Sequence, residues 1–205
     1  PFPASQTSTV NPAQFLFFMI IGGAALLRRE GKRIVYFHDA AALWLGIQEL
    51  KATIPQWYAG QNPLLDGDRV VLATGGDCLA VALDPASGAE VWRAPNPDGH
   101  VMSHASLMPA EIGGVRQYLY LTMKGPVGIS ASDGKLLWTF PWRANMAAVP
   151  SPLAAGDGRV FVTSGYDAGS VMIQVEKGAG AFEVRKLFGL TSAEFNSEVH
   201  TPVLH

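Results

Sequence analysis

Two histidines, His100 and His104, stand four residues apart, the spacing at which two imidazoles on one helical face can share a zinc ion. Pro97 and Gly99 precede them, so the stretch predicts a loop running into a strand, and no carboxylate stands in a matching motif nearby. The pair is therefore not read as a metal site. Ser103 and Ser106 flank His104, but without a Gly-x-Ser-x-Gly elbow their closeness in sequence does not make a nucleophile. Asp66-Gly67-Asp68 reads as a hairpin turn, because the remaining oxygen ligands of a calcium loop are missing. Lys124, ahead of Gly125-Pro126, reads as an exposed turn residue. Cys78 is the one cysteine and opens an apolar run, the setting of inert core thiols. A single cysteine excludes a disulfide framework and any CxxC motif.

The composition sets the frame for these residues. The chain has 205 residues, 48% hydrophobic and 16% charged, with formal net charge −2. It is long enough for a real core and too poor in charge to be disordered as a whole. Near-neutral charge leaves no electrostatic footprint for nucleic acid. Residues 15–27 form an uninterrupted apolar run, short for a membrane-spanning helix. No positive residue precedes it, and Arg28, Arg29, Lys32 and Arg33 follow, the wrong flanks for a signal peptide. Two readings stand: buried structure, or a signal or anchor remnant at 15–27.

The sequence repeats from Asn62 onward. Asp84-Pro-Ala-Ser-Gly88-Ala-Glu-Val-Trp92 aligns with Ser130-Ala-Ser-Asp-Gly134-Lys-Leu-Leu-Trp138, at an offset of 46 residues. The same offset leads to Gly180 and Val184, a decayed third copy without its tryptophan. A second landmark keeps step: Asn62-Pro63-Leu64, Ala105-Ser106-Leu107, Ser151-Pro152-Leu153 and Thr201-Pro202-Val203 follow one another at 43, 46 and 50 residues. Such periods belong to solenoids and propellers. Within each unit the runs are short and rich in β-branched and aromatic residues, as in 69–73, 116–122 and 159–163, and no helical period appears after Lys51. Asp66-Gly67, Gly113-Gly114 and Asp157-Gly158 fall where tight hairpins need positive φ. Four antiparallel strands per repeat describe one blade of a β-propeller.

Gly88 and Gly134 are expected in the left-handed position of the turn between third and fourth strands, with Ser87 and Asp133 accepting backbone hydrogen bonds there. Trp92 and Trp138 then lie on the outer strand and fold over the neighbouring blade as pins. Equivalent placement in successive repeats signals architecture rather than ligand binding.

Ala82-x-Asp84-x-x-Ser87-Gly88-x-x-x-Trp92 resembles the tryptophan-docking motif of the pyrroloquinoline-quinone-like (PQQ-like, quinoprotein) β-propeller repeat. The copy ending at Trp138 keeps Gly134 but has Ser130 in place of Asp. The likeness covers about 54–205, with a degenerate copy at Asp39 to Trp44 that has lost its glycine. It implies an all-β fold: a partial, open β-propeller of about three four-stranded antiparallel blades plus the start of a fourth. The expected organisation is an N-terminal segment, 1–53, followed by repeats over 54–205. Blades are expected near 62–95, 103–142 and 151–189, and the next begins at 200. Because closed rings take about four to eight blades, the chain reads as a fragment, and remaining blades or another chain would close the ring.

The resemblance implies two functional classes. Some members are dehydrogenases that oxidise alcohols or sugars with PQQ and calcium. Others are non-catalytic, among them a lipoprotein assisting outer-membrane β-barrel assembly. Two adjacent cysteines commonly clamp the quinone in the enzymes, and this chain has one cysteine. No catalytic residue, metal site or cofactor is assigned within these residues. PQQ with calcium belongs to the alternative, in a full-length parent. The expected role is a binding or scaffolding module for a protein or small-molecule ligand at the propeller face. By resemblance its location is periplasmic or extracellular.

Aligning Pro63, Ser106, Pro152 and Pro202 makes Gln61, His104 and His200 equivalent, and four residues earlier Trp57, His100 and Asn196. These residues precede the innermost strands, so they converge on one end of the channel, where loops from every blade meet. The more economical reading is that they bond neighbouring backbone. The alternative is that they form a ligand-binding mouth.

Overall fold

A computed structural model describes the backbone of residues 16–20, 23–30 and 33–37 and, with side chains, residues 60–84 and 89–205. Trp57, Ser87 and Gly88 lie outside the described residues. The apolar run enters β1 (Leu16–Ile20) and β2 (Gly23–Glu30), which pair antiparallel and continue to β3 (Arg33–Phe37). No helix among the described residues is long and apolar enough to cross a membrane.

Three four-stranded antiparallel sheets follow, each a simple meander. The first holds β4 (Leu64–Asp66), β5 (Arg69–Ala73), β6 (Cys78–Leu83) and β7 (Glu90–Pro95). Next come β8 (Met108–Ile112), β9 (Val115–Thr122), β10 (Gly125–Ser130) and β11 (Leu136–Thr139). The last holds β12 (Leu153–Ala154), β13 (Arg159–Ser164), β14 (Gly169–Lys177) and β15 (Phe182–Leu190). The described residues form an all-β, open partial propeller. Third strands β6 and β10 are buried along their whole length, as expected where sheets cover both faces. Outer strand β7 alternates, exposing Glu90, Val91, Arg93 and Pro95.

The first hairpins follow the turn chemistry of the sequence. Gly113 and Gly114 link β8 to β9 with φ of 60° and 70°, and Asp157 and Gly158 link β12 to β13 with φ of 50° and 75°. The Gly113–Gly114 link is a two-residue turn whose twist matches the strands, whereas residues 155–158 join β12 to β13. Gly134 has φ 72° between β10 and β11, and Asp133 accepts the Lys135 N–H.

Trp92 pins the first sheet to the second. Its indole N–H donates to the Ala131 carbonyl at 3.2 Å, and its ring lies 6.2 Å from Tyr118. A Cβ on Gly134 would stand 2.5 Å from that indole, so the glycine leaves space for the ring. Arg69 donates to the same Ala131 carbonyl at 2.8 Å. Trp138 differs from expectation. It is buried, yet its N–H donates to Gln117 at 2.6 Å and its ring covers Gly128, both in its own sheet. No atom comes within 4 Å of a Cβ placed on Gly180. The third copy's insertion explains why. Trp92 pairs with Ala82 and Trp138 with Gly128, each beside a bulge, and Met172 with the same bulge pairs with Phe188. Thus Phe188, and not Val184, stands at the tryptophan position, because the β14–β15 hairpin is longer.

The sheets are also tied by hydroxyls. Asn62 N–H donates to Ser106 Oγ at 2.9 Å, Ser106 N–H to Ser151 Oγ at 3.0 Å, and Ser151 N–H to Thr201 Oγ1 at 3.0 Å. This series makes Ser106 equivalent to Asn62, Ser151 and Thr201, one residue away from the proline alignment. The β7–β8 connection is therefore one residue out of step with its counterparts. Ser151→Ala is expected to cost about 1–2 kcal/mol, since it leaves the Ser106 N–H without its acceptor. Urea unfolding of the variant checks this.

Between the first two sheets, the Asp66 carboxylate accepts from Arg116 at 2.6 and 3.1 Å and from the Tyr118 hydroxyl at 2.7 Å. The bonds to Arg116 and then Tyr118 hold its carboxyl below the usual range, while burial opposes them. Burial and then Asp66 push the Tyr118 phenol up. The native state therefore favours ionised Asp66. Its contribution is complete above the ordinary carboxylate pKa of about 4 and is lost as pH falls through the lowered native value. Asp66→Asn is expected to flatten the acid side of the melting-temperature profile. At neutral pH it should cost only about 1 kcal/mol, because half-exposed Arg116 is screened by solvent.

Candidate functional site

The connections between sheets and the hairpins joining second to third strands interlock. A threonine at or next to the end of each second strand closes its hairpin: Thr74 donates to the Cys78 carbonyl, Thr122 to Gly125 and Thr163 to Gly169, at 2.9, 2.8 and 3.2 Å. Asn96, just past β7, donates to the Gly76 and His100 carbonyls at 2.7 and 2.8 Å and accepts the His100 N–H at 2.8 Å. The Asn96 amide thereby folds the connection against the β5–β6 hairpin and turns His100 inward.

His100 is buried, and its Nδ1 lies 2.8 Å from Thr122 Oγ1. The threonine proton is committed to the Gly125 carbonyl, so Nδ1 donates to Oγ1 and Nε2 keeps its lone pair. Nε2 has no hydrogen-bond partner and stands 3.7 Å from Asp98 Oδ2, too far for a bond. Burial, followed by the Lys124 charge, pushes the imidazole's pKa down, while Asp98 acts the other way. Lys124 lies in the β9–β10 turn and donates through Nζ to the Asp98 carbonyl. These three residues, with Gly125, Pro126, Val127, Thr139, Phe140 and Pro141, line an open cleft of about 440 Å³.

The other residues singled out from sequence are held differently. Gln61 is buried and donates to the Ala73 carbonyl at 2.6 Å. His104 packs its ring against Gly60, and its backbone N–H donates to the Ala148 carbonyl at 3.0 Å. His200 is exposed, its backbone bonded to Ser197, and Asn196 is exposed as well. Gln61 and His104 therefore lie together beside the innermost strands, whereas His100 belongs to the cleft farther along the connection. Ser103 Oγ stands 2.6 Å from the Leu121 carbonyl and 3.1 Å from the Tyr120 hydroxyl and accepts the Ala105 N–H at 3.3 Å; it ties strands together. Sequence reasoning missed Asp98, Phe140 and the part played by Lys124. A threonine at or next to the end of each second strand, followed by a glycine-bearing turn, was the signal available.

The donor set does not fit PQQ with calcium. Among the described residues no group of three His, Cys, Asp or Glu side chains could hold a metal ion. Cys78 is buried inside β6 with Sγ 3.1 Å from Thr74 Oγ1. No cofactor step is derived from these residues.

Residues 79–186 match the family described as outer membrane protein assembly factor BamB, a PQQ-like repeat family. The match spans more than half of the chain and takes in the second sheet, all but the first residue of β6, and the third sheet as far as Lys186. The chain belongs to this family. Among solved structures, it is similar to BamB from Moraxella catarrhalis at 12% identity, over 94% of this chain and 77% of that one, with a TM-score of 0.44. No curated protein sequence matches the chain. The family match offers no support for a quinone-dependent dehydrogenase.

Proposed function

We propose that the chain is a binding and scaffolding module that engages a protein component of outer-membrane protein assembly, on the periplasmic side. The match of residues 79–186 to an assembly-factor family carries this reading. The interlocked connections and hairpins supply the rigid surface such a role needs. Gln61, His104, His200, His100 and Asn196 border that surface in the proposal, with His100 opening the cleft and Gln61 and His104 bracing the inner strands. In the proposal the blades correspond to 62–95, 103–142 and 151–189, and a fourth opens at 200. Phe188 stands at the tryptophan position and is 47% exposed, against 7% for Trp92. It supports the reading that a further sheet, from the same or another chain, packs there and continues the ring.

Site-specific photocrosslinkers in cells test the role. Probes at exposed Met146 and Val199, on the connections, should capture an outer-membrane assembly component, whereas one at Val91 on outer strand β7 should not. Equal capture from Val91, or PQQ uptake with turnover of an alcohol, would overturn it.

A further inference from the structure

The cleft beside His100 pairs a deep acceptor with apolar walls. We propose that it receives a phenol: the side chain of a tyrosine on the partner polypeptide. The proposal rests on the scaffold reading above and names the group that this surface recognises.

The wall chemistry selects the body of the ligand. Phe140 and Pro141 offer apolar surface over the buried Pro126 and Val127, which suits an aromatic ring. The polar groups select its tip. His100 Nε2 is a lone pair without a partner on a side chain only 5% exposed, and such an atom carries an unpaid desolvation cost until a donor reaches it. The exposed Asp98 carboxylate stands next to it at 3.7 Å, and its rotation opens the way. Asp98 and Lys124 place opposite charges beside the imidazole, so neither an anionic nor a cationic ligand gains a net charge advantage and a neutral donor fits. A phenol hydroxyl donates to Nε2 and accepts from the Lys124 ammonium, which has donors beyond the one given to the Asp98 carbonyl.

Titration of N-acetyl-L-tyrosinamide and N-acetyl-L-phenylalaninamide into the full 205-residue chain tests this, followed by imidazole nitrogen and backbone amide resonances. The tyrosine compound should shift the His100 Nε2 resonance and the amides of Lys124, Gly125 and Val127, and bind about tenfold tighter than its phenylalanine counterpart. Acidification that protonates His100 should abolish the preference. The charged groups facing the imidazole are Asp98 from the connection and Lys124 from the hairpin, so the preference should survive Asp98→Asn. His100→Phe should remove it, and if that variant does not fold, the wild-type pH series decides. Equal affinities, an unmoved Nε2 resonance or shifts outside the cleft would overturn the proposal. Crosslinking to the assembly component without a tyrosine preference would sink the cleft alone and leave the scaffold reading intact.

Discussion

Trp92→Ala should destabilise the chain by about 3–5 kcal/mol, the cost of emptying a buried aromatic site. The indole fills the space above Gly134, lies near Tyr118 and donates to the Ala131 carbonyl of the next sheet. Its removal opens a cavity between two sheets that share no strand-to-strand ladder. Trp92→Phe keeps most of the apolar area and loses the hydrogen bond, so about 1–2 kcal/mol is expected. Phe188→Ala, at the same repeat position, should cost under about 1 kcal/mol because that ring is half exposed. Urea unfolding of the three variants at constant m measures the differences. Similar losses for Trp92→Ala and Phe188→Ala would refute the assignment of Trp92 as an inter-sheet pin.

Gly125→Ala should be about as severe, near 3–5 kcal/mol, for a different reason. Gly125 has φ 135°, and an added Cβ would stand 2.0 Å from the Phe140 carbonyl oxygen and 2.7 Å from the Trp142 nitrogen. Both atoms are backbone, held by the Phe140-to-Pro126 and Trp142-to-Lys124 hydrogen bonds, so neither can step aside. Strain at such a φ costs about 1–3 kcal/mol and overpacking adds a similar amount. Gly114→Ala provides the comparison: φ is 70°, but no atom lies within 4 Å of the new Cβ. It should cost only about 1–2 kcal/mol. Thermal melting distinguishes them, and a Gly125→Ala variant as stable as Gly114→Ala would mean the β9–β10 hairpin packs otherwise. The same hairpin carries Lys124, so the variant should also disturb the His100 cleft.

The repeat was legible because its cues are local. Arg69-Val-Val-Leu-Ala73 and Cys78-Leu-Ala-Val-Ala-Leu83 form strands with the bounds their patterns imply, since β-branched and small apolar residues between glycine turns leave few alternatives. Gly134 in a left-handed turn four residues before Trp138 is likewise a relation within one hairpin. Errors began where length changed. A fixed offset of 46 residues pointed to Val184, while the longer β14–β15 hairpin places Phe188 opposite Met172. The proline alignment places Ser106 one residue out of register because the connection after β7 differs in length, and its bonds with Asn62 and Ser151 reveal the match.

What the sequence by itself determined is the all-β repeat: strand types, turn positions and the glycine–tryptophan spacing, all governed by backbone preferences over a few residues. Tertiary structure alone decided which sheet each indole contacts, which hydroxyl caps which strand, and that His100, Lys124 and Phe140 share a cleft. Those outcomes depend on contacts between residues tens of positions apart. Such contacts follow from how twisted sheets pack, and local pattern does not encode the distance between two side chains that meet only after packing.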